Sequence, residues 1–152
     1  MDIPKQMITI GFLMFALSSS LFSAASLHQR NLHLLDFIQA DTPIYNATGE
    51  EVQISKFDNK CIQLYFTATF CGPCKKVSAI IQKHHQSYST QYEVIVLSRD
   101  KGDKLTEYMS KKPHWYYVKY DNKLVHQLTR KATSSGTVSI PTKINFDING
   151  NY

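Results

Sequence analysis

Apolar and polar positions change period several times along the chain, and each change predicts an element. Cys61 to Thr69, CIQLYFTAT, is continuously apolar or β-branched, the pattern of a central strand covered on both faces. Tyr92 to Ser98, YEVIVLS, has the same character. Between them Val77, Ile80, Ile81, His84, His85 and Tyr88 recur at helical spacing and predict one amphipathic face. A second helix is expected over Lys101–Lys111, with Leu105, Tyr108 and Met109 inward and Pro113 as its stop. Thr42 to Ile54 reads as two short extended stretches around Asn46-Ala47-Thr48-Gly49, a hairpin. Val138 to Ile148 predicts a further strand broken at Pro141, its body running from Lys143 to Ile148. Asp121 is expected to cap a short helix carrying Leu124, Val125 and Leu128, and Thr133–Thr137 to form a loop. Strands alternating with helices predict an α/β sheet with parallel pairs at its centre.

The first residues have a different pattern. Met7 to Leu17 is almost wholly apolar behind the single cation Lys5, and Ser23-Ala24-Ala25 follows. The apolar core is shorter than the ~20 residues a bilayer span needs. Residues 1–25 are therefore expected to be a secretory signal peptide, with an uncleaved anchor or a buried helix as alternatives, and residues 26–152 to be one domain. This predicts a secreted or endoplasmic-reticulum protein, or a cytoplasmic one if the segment is not a signal peptide. A membrane partner is expected only if the segment stays uncleaved. In the secretory pathway Asn46-Ala47-Thr48 would be an N-glycosylation acceptor at Asn46.

Composition narrows the function classes. The chain has 152 residues, 43% of them hydrophobic and 19% charged, as in an ordinary folded domain. The net charge is +5, yet no basic run is longer than an isolated pair: Lys75-Lys76, Lys111-Lys112 and Arg130-Lys131. A nucleic-acid binder would concentrate them in a stripe, so no nucleic-acid partner is expected. Three cysteines are too few for a disulfide-stapled mini-protein.

Two of those cysteines carry the candidate chemistry. Cys71-Gly72-Pro73-Cys74 follows the first buried strand and opens the first long helix. Such a pair can close a small redox-active ring, form an inert disulfide, or supply half of a zinc site. The first cysteine is expected just ahead of unpaired backbone N–H groups at the positive end of the helix dipole, which favour thiolate over thiol. Cysteines so placed can have pKa values lowered to about 3.5–7.5. Pro73 lies in the first turn, where a missing N–H costs nothing. His84 and His85 are ten and eleven residues beyond Cys74, a helical rise of ~15 Å, too far to share one zinc ion with the pair. No metal is expected, and no cofactor beyond the cysteine pair itself. Cys61 is expected to be a buried thiol, and His84 and His85 partly covered helix residues.

Tyr65-Phe66-Thr67-Ala68-Thr69-Phe70-Cys71-Gly72-Pro73-Cys74-Lys75, followed by Ile140-Pro141-Thr142 and Phe146, resembles the thioredoxin superfamily. The resemblance covers roughly residues 40–150. It is most similar to the tryparedoxin and nucleoredoxin branch, through the N-terminal hairpin, the Tyr-Phe-Thr-Ala-Thr strand, and Ser98-Arg99-Asp100 followed by a helix, Pro113 and an aromatic cluster at Trp115. Trp115, Tyr116, Tyr117 and Tyr120 are expected to pack in the core and its rim, with an aromatic platform near the active site as the alternative. It implies a thioredoxin-like fold, a central mixed sheet flanked by helices. It also implies a Cys71–Cys74 redox disulfide, with Cys71 as nucleophile, Cys74 as resolving thiol, and Gly72 and Pro73 between them. The Ile140–Pro141 bond would be cis, and Ile140 and Phe70 would meet the substrate. Phe70 replaces the family's usual Trp, and Tyr65 stands where ordinary thioredoxins carry a buried Asp. Asp100 is expected to be a helix N-terminal cap, with a substitute for that carboxylate as the alternative. Asn149-Gly150 signals a hairpin turn, but the chain stops at Tyr152, so the family's last strand and helix are expected to be missing.

The resulting expectation is a thiol–disulfide oxidoreductase acting on protein disulfides, supplied by an upstream reductant or oxidant. The alternative is a secreted or anchored peptide-binding module of the same fold without turnover. A Gly-Pro pair resembles the reducing end of the family. Thioredoxin's potential near −270 mV lies below the roughly −180 to −210 mV of the endoplasmic reticulum, so direction of electron flow stays open.

Overall fold

A computed structural model of the chain describes residues 41–119 and 138–149, together with Ile38 and Gln127. The segment 1–25, the Asp121 helix, the Thr133–Thr137 loop, Tyr120, and Gly150 of the final turn lie outside the described residues. In chain order the elements are β1 (Ile44–Asn46), β2 (Glu51–Val52), a 3-10 turn (Ile54–Phe57), β3 (Cys61–Thr67), α1 (Gly72–Tyr88), β4 (Tyr92–Ser98), α2 (Asp103–Ser110), β5 (Tyr116–Val118) and β6 (Thr142–Phe146).

The strands form one mixed sheet in the order β2-β1-β5-β4-β3-β6. β4 runs parallel to both β3 and β5, with Tyr65 opposite Val96 and Ile95 opposite Tyr116. The hairpin β1–β2 adds antiparallel beside β5, and β6 adds antiparallel beside β3. Parallel neighbours need long crossovers, which α1 and α2 supply.

Strand alternation divides the core. Ile62, Leu64, Phe66, Ile95, Leu97, Tyr116 and Val118 face one side with Ile44, Phe57 and Phe146. Tyr65, Val94, Val96 and Tyr117 face the other, with Ile81 of α1, Leu105 and Met109 of α2, and Trp115. The continuous apolar runs of β3 and β4 thus reflect burial on both faces. Trp115, Tyr116 and Tyr117 are core residues. Tyr65 and Trp115 meet edge to face, 6.2 Å between centroids.

Three expectations need correction. The buried face of α1 is Cys74, Ser78, Ile81 and His85, while Ile80 and Tyr88 are largely exposed and His84 lies outside. Ser78 belongs inside because its hydroxyl is bonded by Tyr65 and Tyr108, so a polar residue fills a position that periodicity gives to an apolar one. β6 ends at Phe146, and Ile148 is exposed, because the chain turns after Asp147, whose Oδ1 accepts from the Asn149 N–H at 2.8 Å. Cys61 is only partly buried, since it begins its strand at the sheet margin, and it is a free thiol.

Candidate active site

β3 ends at Thr67, and the next four residues turn the chain into α1. The turn is closed by the Cys71 N–H donating to the Ala68 carbonyl at 3.1 Å. Cys71 is the residue that caps α1, and Pro73 sits in its first turn. Cys71 and Cys74 are joined as a disulfide, with 5.2 Å between their Cα atoms. The Cys74 backbone N–H points at Cys71 Sγ, 3.2 Å away. A sulfur therefore takes the place that a hydroxyl or carboxylate oxygen usually holds at a helix start. Cys71 keeps 9% of its surface accessible and Cys74 only 1%. The pair is asymmetric: Cys71 is the more accessible of the two residues.

Ile140 packs against Ala68, Cys71 and Cys74. Its carbonyl oxygen lies 3.9 Å from Cys71 Sγ. The Ile140–Pro141 bond is cis. Arg99, just after β4, reaches across to this segment, its Nη2 donating to the Val138 carbonyl at 2.6 Å. Phe70 is 72% exposed, beside the pair at the surface. The structure thus brings Phe70, Cys71, Cys74, Ile140 and Pro141 to one place. Asn46 is elsewhere, at the β1–β2 turn, where its side-chain oxygen accepts from the Thr48 and Glu50 N–H groups.

Two further supports stand behind the pair. Tyr65 donates its hydroxyl to the Cys74 carbonyl at 2.9 Å and touches Ser78 Oγ at 3.1 Å, which touches the Tyr108 hydroxyl at 2.9 Å. Thr67 donates to Tyr65 at 3.3 Å. A buried hydroxyl cluster thus stands beneath Cys74. Burial pushes the Tyr108 hydroxyl above its ordinary pKa.

Asp100 is the second support, and it corrects the helix-cap expectation. α2 is preceded by Gly102, in a left-handed conformation at φ 54°, and no side chain caps it. The Asp100 carboxylate instead turns back to the active-site loop. It accepts from the Thr69 N–H, the Thr69 hydroxyl and the Ser98 hydroxyl, each at 2.7 Å. Burial pushes its carboxyl pKa up, but these hydrogen bonds outweigh burial and hold it below the ordinary value. A carboxylate two residues beyond a buried strand, facing a Thr two residues before the cysteine, was the available signal.

A mixed sheet with a cysteine pair at the head of the helix after its central strand, facing a cis-proline, defines a thioredoxin-like protein. The family model described as AhpC/TSA matches residues 33–151, and the chain belongs to that thioredoxin-like family. Among curated relatives, Trypanosoma brucei brucei tryparedoxin is 27% identical over 116 residues, covering 73% of this chain and 76% of its own. Bos taurus nucleoredoxin is 25% identical over 112 residues, 71% of this chain, and this chain spans only 25% of that longer protein. Drosophila melanogaster thioredoxin-1 is 38% identical over 55 residues, 36% of this chain and 51% of its own. Among solved structures, Crithidia fasciculata tryparedoxin II superposes with a TM-score of 0.67 at 22% identity, covering 78% of this chain and 80% of that one. These matches bear out the thioredoxin-like fold and the tryparedoxin and nucleoredoxin likeness. Homologues in this family are thiol–disulfide oxidoreductases, and a Cys71–Cys74 disulfide fits a redox dithiol.

Among the described residues no group of three or more His, Cys, Asp or Glu side chains could hold a metal ion. No described helix is long and apolar enough to cross a membrane.

Proposed function

We propose that this chain exchanges or reduces the disulfides of protein substrates through Cys71 and Cys74, and needs no other cofactor. The reading rests on one observation: the more accessible cysteine of a bonded pair caps a helix, and its sulfur receives the N–H of its own partner, at 3.2 Å. That donor and the helix dipole stabilise negative charge on Cys71 when the pair is reduced. The Cys71 thiolate attacks one sulfur of a substrate disulfide. A mixed disulfide forms, and the other substrate sulfur leaves as thiolate and takes a proton. Cys74 then loses its proton and attacks Cys71 Sγ. The Cys71–Cys74 bond closes, the second substrate thiolate leaves, and two electrons have passed to the substrate. A dithiol donor must return them, and running the cycle backward would oxidise a dithiol substrate.

Phe70 and the Ile140 backbone border the attacking sulfur, and they are the proposed contacts for an extended substrate segment. Gly72 carries no side chain, and a Cβ built there meets nothing within 4 Å, so the approach to Cys71 is open on that side. The proposed compartment is the secretory pathway, on the pattern of residues 1–25, with Asn46 as a glycan acceptor. The amino-terminal sequence of the mature protein tests the compartment. Insulin-disulfide reduction driven by dithiothreitol tests the activity. The wild type should accelerate it and Cys71→Ser should not. Two folded proteins equally silent would leave a binding module without turnover.

A further inference from the structure

Beside Cys74, a cavity of about 550 Å³ opens between the first turns of α1 and helix α2. Cys74 and the hydroxyls of Ser78 and Tyr108 line it, and the exposed Phe70 ring forms its lip. Its charged lining is one-sided: Lys75, Lys104, Lys111 and Lys112 against one carboxylate, Glu107. Glu107 pairs with Lys111 at 2.7 Å, but both side chains are well exposed, so the pair is weak and can exchange for another carboxylate. Lys112 is held in place: it donates to Gln82 Oε1 at 2.6 Å and lies 4.9 Å from the Trp115 ring centre. Asp100, the other acid nearby, is occupied by Thr69 and Ser98.

We propose that this cavity is a docking subsite for an acidic polypeptide segment flanking the disulfide of a protein substrate. The proposal rests on the oxidoreductase reading above and names the substrate it prefers. Lys104, in the first turn of α2, and Lys111, at its C-cap, are seven residues apart, a rise of ~10.5 Å. A small dianion meets one of them. An extended peptide, advancing ~3.3 Å per residue, brings carboxylates three residues apart to both. Phe70 lines this cavity and directly precedes Cys71 in the chain, so one substrate segment can lie along the lysines and present its disulfide to the sulfur. The overall charge of +5 steers such a segment inward at low ionic strength.

The test uses two labelled peptides of equal length with a central S-methylated cysteine. One has Asp and Glu flanks, the other Asn and Gln. Binding to the full oxidised chain is followed by fluorescence anisotropy at low and at near-physiological ionic strength. The acidic peptide should bind about tenfold tighter at low salt, and the margin should shrink as salt screens the lysines. Combining Lys104→Gln with Lys111→Gln should abolish that margin, while Lys83→Gln, on the exposed part of α1 outside the cavity, should keep it. Equal affinities for the two peptides, or a margin that survives the double substitution, would overturn the proposal. So would S-methylglutathione competing as well as the acidic peptide, because the site would then belong to small thiols. Turnover of the matching peptide disulfides is measured separately. Acid-selective binding without reduction would sink the oxidoreductase reading and leave the subsite standing. Reduction without acid selectivity would do the reverse.

Discussion

Both carboxylate oxygens of Asp100 are bonded to Thr69, Oδ2 to its backbone N–H and Oδ1 to its hydroxyl, each at 2.7 Å. Thr69 is two residues ahead of Cys71, and Asp100 is two beyond the end of β4. The end of one parallel strand therefore fixes the loop that leaves its neighbour. The Arg99 N–H donates to the Thr67 carbonyl at 3.0 Å and continues the pairing. The active-site turn is held from the sheet side by a charge and from the helix side by the Tyr65 hydroxyl cluster.

Removing the charge should loosen the turn. Asp100→Ala leaves the Thr69 N–H and the Ser98 hydroxyl without their acceptor, and charge-assisted hydrogen bonds of this kind contribute about 1.5–3 kcal/mol. We expect a stability loss of about 2 kcal/mol in urea denaturation and faster hydrogen exchange at the Thr69 amide. Unchanged exchange at Thr69 would show that the clamp does not hold the loop.

Acid should unfold the protein through two carboxylates. Glu93 is buried on β4, where it meets His85 Nε2 at 3.2 Å and pairs with Lys60. Burial pushes its pKa up, but the His85 and Lys60 contacts prevail and hold it below the ordinary value, as hydrogen bonds do for Asp100. A group whose folded pKa is depressed contributes stability that is complete above its unfolded pKa, about 4 for these residues. That contribution is lost as pH falls through the folded value. The urea midpoint of the wild type should thus fall steeply below about pH 4. Glu93→Gln and Asp100→Asn should each start lower at neutral pH and show a shallower acid limb. A limb as steep in both variants as in the wild type would place the titration elsewhere.

What the sequence made legible follows from period and covalent neighbourhood. β3 and β4 were readable because burial on both faces leaves a continuous apolar run, and the hairpin because Gly49, at φ 89°, marks its turn. The cysteine pair was readable because only two residues separate its members. The face of α1 was misread because Ser78 and Cys74 are buried through partners far along the chain: Tyr65 and Tyr108 for Ser78, Ile140 for Cys74. His85 does lie on the face that periodicity gives, 3% exposed, where it meets the Tyr92 ring and the Glu93 carboxylate. The Asp100 clamp spans 31 residues and has no local signature. The lysine-lined cavity likewise needs α2 folded against α1 before its residues share a wall.

Phe70 separates packing from function. At 72% exposed it contributes little to the core, so Phe70→Ala should change stability by no more than about 0.5 kcal/mol. As a proposed substrate contact it should nevertheless matter. We expect kcat/KM for a protein disulfide to fall about tenfold, roughly the loss of one well-placed aromatic contact. Alkylation of reduced Cys71 by a small reagent should be far less affected. A comparable drop for the small reagent would mean that the ring shapes the cysteine rather than the substrate.

Asn46 gives the hairpin a test of its own. Its Oδ1 accepts from the Thr48 N–H at 3.0 Å, the Thr48 hydroxyl at 2.7 Å and the Glu50 N–H at 2.9 Å, while its Nδ2 donates to Glu50 at 2.8 Å. Such a side chain closes a turn by imitating backbone. Asn46→Ala removes every one of these bonds and should cost about 1–2 kcal/mol. Asn46→Asp keeps the acceptor but sets a second carboxylate against Glu50, and should fall between Ala and the wild type. β1 pairs with β5 through Asn46 opposite Tyr116, so the loss should also appear as faster amide exchange along β5. A denaturation midpoint for Asn46→Ala equal to the wild type's would leave the triplet with no structural task, and its value would then rest on glycan attachment alone.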